Sequence, residues 1–378
     1  MIRMKIEVAG KANVDLYEFQ KAISFISEDI ESYTISSSQI ILEINDKADC
    51  EEIRRRTMNL LDKYAINNET SKYFENHATK NYVGFDELSC ICKFEDGMLE
   101  LKNEALLLYK YFEQSFQKMA YSLKSICEER LYPVLLPVTE YKKTGYLRNS
   151  PQYAMLCSSV YEDIEELEEL NDNVDTKDVK RFIKQPRYAL SPSACFHSYI
   201  ELKNQCLEEK KILTFTQSVF RNEGRFNYKD LGRLRDYHVR EIVFFGDADY
   251  VKEKRKELMD LVVQFVKDID LCSEMVVASD PFIMPKLQRY KKIQMMENVK
   301  YELRINYSND NAMSVASFNL HGTSFTYPFQ ISIKNVSQSV TGCAGFGLER
   351  WVLAFLAQHG ENISNWPICV KKWIESIK

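Results

Sequence analysis

No apolar run in this 378-residue sequence approaches the ~20 residues needed to cross a bilayer as a helix. The opening Met1-Ile2-Arg3-Met4-Lys5-Ile6 lacks the apolar core and small-residue cleavage site of a secretory signal. A soluble cytoplasmic protein with no membrane partner is therefore expected. There is no excess of positive charge either: the net charge is −5, which argues against broad nucleic-acid binding, a property that usually shows as a basic domain or stripe. None of the ten cysteines stands in a Cys-x-x-Cys pair. That removes the common redox and zinc-ribbon signatures, and most of these thiols should simply be buried. Internal repeats and low-complexity segments are also missing.

What is present is enough apolar (45%) and aromatic (12%) material for a substantial core. The length exceeds one typical domain of about 100–200 residues, so two are expected. Residues 1–80 read as a small α+β domain. Lys5–Val8 and Ile40–Ile44 resemble strands, Glu51–Tyr64 a helix, and Leu16, Phe19, Ile23, Ile26 and Ile30 recur at helical spacing. The polar stretch 67–81 suggests a linker. Residues 81–378 would then be a catalytic α+β domain. It has a long helix over 103–130, an extended run to Pro137 and an acidic surface helix over 162–172. An antiparallel pair over 214–221 and 239–246 follows, then a helix over 250–266, β-rich residues 324–340, and a glycine-rich turn leading into a helix over 347–358.

Two segments carry chemistry. The first is Phe220-Arg221-Asn222-Glu223-Gly224, followed by Gly232-Arg233-Leu234-Arg235-Asp236-Tyr237-His238-Val239-Arg240-Glu241. On a strand, Arg221 and Glu223 share a face. A fixed guanidinium can clamp a phosphate, and a carboxylate can accept a hydrogen bond from an adenine amine. Alone, Arg-x-Glu is usually an ordinary surface ion pair. The second is Thr341-Gly342-Cys343-Ala344-Gly345-Phe346-Gly347-Leu348-Glu349-Arg350. Its spacing fits neither a Rossmann nor a P-loop signature; alone, it reads as a glycine-rich turn with a surface arginine.

Together, in this order, the segments resemble motifs 2 and 3 of the class II aminoacyl-tRNA synthetases. The helix and strand ending at Pro137 look like motif 1. The resemblance covers roughly residues 100–360 and implies an α+β fold: a class II antiparallel sheet flanked by helices, here with a small N-terminal α+β domain added. It also implies a homodimer formed through motif 1, and use of ATP with Mg²⁺. By position, Arg221 resembles the arginine that binds the α-phosphate and the amino-acid carboxylate. Glu223 resembles the adenine contact, Tyr237 the ring that stacks on adenine, and Arg350 the arginine on the γ-phosphate. Arg221 and Arg350 are accordingly the expected catalytic pair.

Within class II the chain looks most like the seryl branch. Ser191-Pro192-Ser193-Ala194-Cys195 stands where common seryl enzymes carry Thr-Ala-Glu, so Cys195 replaces the glutamate that meets the substrate amine. With Glu241 and Cys343 it makes a Cys₂Glu set resembling the zinc site of two groups. These are the methanogen-type seryl-tRNA synthetases and the amino acid:[carrier protein] ligases. Such a set leaves one Zn²⁺ position open, for a neutral α-amine; alternatively, the two cysteines are only buried thiols. The runs Ser279-Asp280-Pro281-Phe282, Lys300-Tyr301-Glu302-Leu303 and Ala316-Ser317-Phe318-Asn319-Leu320-His321 look like the carrier-protein ligases, and on that basis Asn319 is a substrate-pocket candidate. The function expected first is therefore activation of glycine, alanine or a similar small amino acid, with transfer to the phosphopantetheine thiol of a carrier protein. Charging of tRNA by a zinc-dependent seryl-type enzyme is the alternative, and the small N-terminal domain keeps it open. The basic clusters at 177–187 and 286–292 are the expected docking sites for an acidic carrier. Glu302 is the nearest candidate for a Mg²⁺ carboxylate, without a motif match to support it.

Overall fold

In the computed structural model, residues 1–8, 16–64, 71–77, 80–175, 178–280 and 282–377 are described. Lys177, Pro281 and much of the expected linker lie outside them.

The N-terminal domain is a three-stranded antiparallel sheet in which Gln39–Ile44 lies between Ile2–Glu7 and Ile30–Ile35. Strict alternation in Gln39–Ile44 puts Ile40, Leu42 and Ile44 inside, as a half-buried strand requires. The helix Cys50–Leu61, capped by the Asp49 side chain, closes one side of this small core. The helical spacing over 16–30 does not yield one helix. Leu16–Gln20 is a single short helix, Ile23–Phe25 a 3₁₀ turn, and Ile30 opens a strand. The side chain of Ser27 bonds both the backbone and the carboxylate of Asp29, and such local bonds favour a turn over helix. Phe19, Ile23, Ile26 and Ile30 are all buried nonetheless, so the spacing reported burial rather than one element.

The rest of the chain is built on an eight-stranded, mostly antiparallel sheet. In spatial order its strands are Lys72–Asn76, Ser273–Val277, Lys300–Asn306, Ala312–Gly322, Val340–Gly347, Asp236–Gly246, Lys211–Phe220 and Cys127–Glu129. Lys72–Asn76 falls in the stretch expected to link the domains, yet it forms an edge strand. An edge strand needs little apolar content, which is why composition suggested a linker.

Strand alternation divides the sheet into two faces. Ile242 and Phe244 point into the main core with the helices Glu104–Ser122, Ala248–Asp268 and Leu348–His359. Val239, Val243 and Phe245 point the other way, into a second core with Phe215 and Tyr199. Glu241 shares that second face. The helices therefore cover one side, and the other side is free for a site. Two expectations change here. Residues 324–340 form a short helix, Thr326–Phe329, and a two-residue strand rather than a long one. The glycine-rich segment is itself the strand Val340–Gly347, not a turn.

Candidate active site

Glycine is used in Val340–Gly347 because its neighbours need the space. Gly342 faces the helical side, where a Cβ would fall 2.7 Å from both the Asn319 carbonyl oxygen and Val251. Gly345 faces the site. It lies opposite Glu241 in the ladder, and a Cβ there would fall 2.7 Å from Glu241 Oε2. Cys343 is two residues along on the same face, paired with Val243 on one side and Asn319 on the other. Cys195 arrives from elsewhere, immediately before the short helix Phe196–Glu201.

These elements bring Cys195, Glu241 and Cys343 together. One ligand atom from each lies within 4.8 Å of the others, and all three residues are buried. Burial and the nearby Cys195 push the Glu241 carboxyl well above the usual carboxylate range. The Cys343 thiol is pushed up by its hydrogen bond with Cys195 and by burial, while the bond from Cys343 lowers Cys195. The three groups thus resist becoming anionic together. A divalent cation would reverse that preference, because thiolate and carboxylate are its ligand forms. Donor type, separation and burial all fit Zn²⁺ held by three protein ligands.

Around this cluster lies a shell of polar side chains. Asn319 Nδ2 is 3.2 Å from Ser317 Oγ and 3.5 Å from Cys343 Sγ. His321 approaches the same sulfur through Nε2 at 3.5 Å, and its Nδ1 is 3.2 Å from both the Tyr199 hydroxyl and Thr341 Oγ1. Burial pulls His321 down to about 4, so it is neutral near pH 7.

The cluster sits in one large cavity, about 870 Å³, that Arg221, Glu223, Tyr237 and Arg350 also line. Arg221 and Glu223 fall just beyond the strand Lys211–Phe220 rather than on it. Arg221 Nε donates to the Pro192 carbonyl at 2.8 Å, in the segment that carries Cys195. Tyr237 lies between the two arginines, its ring centre 5.8 Å from the Arg221 guanidinium and 4.8 Å from that of Arg350. Arg350 Nη1 donates to the Ser314 carbonyl at 3.3 Å, but its buried Nε and Nη2 have no hydrogen-bond partner among the described residues. A guanidinium left this way suits an anionic ligand. Glu223 is buried, and its carboxylate faces Arg233 at 3.4 Å and Arg350 at 3.9 Å.

A second charged cluster in the cavity was read from the sequence only through Glu302, the Mg²⁺ carboxylate candidate. Lys300 lies between Asp280 and Glu302, 3.2 Å from each, with Arg304 Nη2 3.9 Å from Glu302. Charge at alternate positions of a strand, Lys300, Glu302 and Arg304, is a legible sign of a charged face. The N-terminal domain also reaches the cavity, through Ala22, Lys63 and Tyr64. Of the basic clusters, Arg181 and Lys184 pair with Glu169 and Glu162 of the acidic helix region, while Lys291 and Lys292 border the cavity.

Residues 180–359 match the family model described as tRNA synthetase class II core domain (G, H, P, S and T). Over 99% of this chain and 77% of the other, the structure is similar to M. kandleri SerRS in a solved complex with A. aeolicus tRNASec, with a TM-score of 0.72 and 20% identity. The fold is that of the class II synthetases. A cytoplasmic serine–tRNA ligase from Naegleria fowleri in complex with AMP is similar at a TM-score of 0.60 and 9% identity, over 86% of this chain and 79% of that one. Among curated proteins, the Type-2 serine–tRNA ligase of Methanothermobacter thermautotrophicus is 29% identical over 66% of this chain and 51% of its own length. That of Methanocaldococcus jannaschii is 28% identical over 66% and 50%. The chain spans about half the length of the curated relatives it matches. No helix among the described residues is long and apolar enough to cross a membrane.

Proposed function

We propose that this chain is an adenylate-forming ligase that activates a small amino acid, serine first among the candidates, and passes it to tRNA. The observation that carries the reading is a juxtaposition in one cavity. Three buried groups suited to a zinc ion, Cys195, Glu241 and Cys343, share it with Arg350, whose buried Nε and Nη2 have no hydrogen-bond partner among the described residues. Zinc held there by two thiolates and a carboxylate would keep one position for a neutral amine, favouring amino acids over other carboxylic acids.

The chain's own residues supply the rest. Arg221 is suited to hold the amino-acid carboxylate and the α-phosphate, and Arg350 the γ-phosphate of MgATP, so that two anions can meet. A carboxylate oxygen then bonds to the α-phosphorus, the bond to the bridging oxygen breaks, and pyrophosphate leaves. Tyr237 presents an aromatic face suited to the adenine or to the guanidinium groups beside it. Ser317 and Asn319 offer hydrogen-bonding groups suited to a substrate hydroxyl near Cys343, and a site built around such a bond discriminates against apolar analogues.

The carrier-protein acceptor expected from the sequence run gains no support from the relatives, which are named serine–tRNA ligases. Their names favour the tRNA alternative, and we adopt it. Exposed Leu131, Val134 and Leu135, beyond the long helix of motif 1, suit a homodimer contact. Pyrophosphate exchange with each amino acid tests activation. Transfer of the radiolabelled product to bulk tRNA, set beside a phosphopantetheinylated carrier protein, tests the acceptor. Exchange with no amino acid would refute the reading, and transfer to the carrier alone would reverse the choice of acceptor.

A further inference from the structure

The loop over 221–235 holds Glu223 and Arg233 at the cavity, and on its far side it is bound to the N-terminal domain. Arg225 is the main contact. Its Nη1 donates to the Ser24 carbonyl at 3.2 Å and to Glu28 Oε2 at 3.0 Å. Its Nη2 donates to the carbonyls of Ser27 at 2.9 Å, Glu28 at 3.3 Å and Ile30 at 2.7 Å. One planar guanidinium therefore fills the turn between the 3₁₀ segment and the strand Ile30–Ile35, a fit that an ammonium group cannot reproduce.

Three further contacts act in the same place. Gly224, at φ +92°, lies so close that a Cβ would fall 2.6 Å from the Ser24 Cβ and 2.8 Å from the Phe25 ring. Phe226 packs edge-on against Tyr33, ring centres 5.3 Å apart, and its backbone N–H donates to Ser24 Oγ at 3.1 Å. Asn227 carries the contact inward. Its Nδ2 donates to the Lys21 carbonyl at 2.9 Å and to the Glu223 carbonyl at 2.6 Å. A single amide group thus joins the N-terminal domain to the residue whose carboxylate faces Arg233 and Arg350.

We infer that the N-terminal domain is a working part of the nucleotide site: through the positioning residues Arg225 and Asn227 it orders the 221–235 loop and sets the place of Glu223. This rests on the adenylation reading for its kinetic consequence, though not for its structural one. A loop of this length is costly to order from its own ends alone, and segments with few buried contacts open readily. The turn 24–30 supplies the fixed partner. The same domain also contributes Ala22, Lys63 and Tyr64 to the cavity wall, so holding the loop and closing the cavity are one arrangement.

The test compares the full-length wild type with Arg225→Ala, Arg225→Lys and Asn227→Ala, by amide hydrogen exchange and by pyrophosphate exchange. Both alanine variants are expected to speed exchange over 222–230 by about ten-fold or more while the central strands keep wild-type protection. They should raise the KM for ATP about ten-fold, with kcat and the amino-acid KM each within about three-fold of wild type. Arg225→Lys should fail to restore either property. If Arg225→Ala does not fold, Asn227→Ala decides by the same readouts. Wild-type protection of the loop in a folded variant overturns the inference, as does faster exchange with an unchanged KM for ATP. If the wild type activates no amino acid, the adenylation reading fails, and loop protection still decides whether the domain orders the loop.

Discussion

The carboxylate of Glu241 occupies space that a side chain on Gly345 would need: a Cβ there would fall 2.7 Å from Oε2. The atom it would meet is the far end of a flexible side chain, so Gly345→Ala should move the carboxylate and leave the sheet intact. Zinc affinity is expected to fall about 10–100-fold, read by competition with a chromogenic chelator, while thermal unfolding of the chelated protein stays near wild type. Unchanged zinc affinity in the folded variant would remove Glu241 from the ligand set.

Arg350 offers a test of the anion site. Its Nε and Nη2 are buried without hydrogen-bond partners among the described residues, so a bound phosphate would provide what they lack. Arg350→Met is expected to raise the KM for ATP by about ten-fold or more, roughly 1.4 kcal/mol or above. Arg350→Lys should recover little of it, since an ammonium group cannot reproduce the planar fork. A lysine variant with wild-type ATP dependence would contradict this.

Stability should depend on pH through His238. Its Nδ1 is 2.7 Å from Glu349 Oε1, and that hydrogen bond raises its pKa above the ordinary 6.5. Because the folded value is the higher one, the contribution is fully present below pH 6.5 and disappears as pH rises through the folded value. Side-chain exposure of 45% keeps the effect small. The melting-temperature gap between wild type and His238→Gln is expected to be widest near pH 6 and to narrow above neutrality. A gap that grows with pH would be the wrong sign.

Arg240 lies on the helical side of the strand that carries Glu241, 3% exposed. It pairs with Glu113 of the long helix and with Glu129, the latter at 2.9 Å. Removing it takes the cation from both carboxylates, leaving Glu113 the Thr216 hydroxyl and Glu129 the Gln117 amide and Tyr121 hydroxyl as donors. Because both are partly exposed, Arg240→Met should cost about 2–3 kcal/mol, below the range for a fully buried pair, measured by urea unfolding. A change within about 0.5 kcal/mol, the usual range of surface substitutions, would show the network to be idle.

Much of the larger sheet and its helices was legible because the signals are local. The paired strands around 214–221 and 239–246 follow from β-rich apolar composition, and the long helix and the acidic surface helix from periodicity, although the helix expected over 103–130 ends at Ser122 and Cys127–Glu129 is a strand. The set Cys195, Glu241 and Cys343 was legible only as a motif pattern, since spacing along the chain does not show that three distant residues converge. What escaped depends on long-range pairing. Lys72–Asn76 is too polar to announce itself as a strand, and only its partner Ser273–Val277 makes it one. Arg225 carries no sequence signal because its partners are mostly carbonyl oxygens, which every residue carries. The 16–30 stripe misled because burial on one side of a helix–turn–strand unit can imitate helical spacing.

Metal content bears most directly on the central claim. Purified wild-type protein, analysed by elemental mass spectrometry alongside pyrophosphate exchange, should carry one zinc per chain; chelation should abolish exchange, and zinc should restore it. Cys343→Ser should lose metal and exchange together. A folded wild type without zinc, or one that activates amino acids equally well after chelation, would contradict the account.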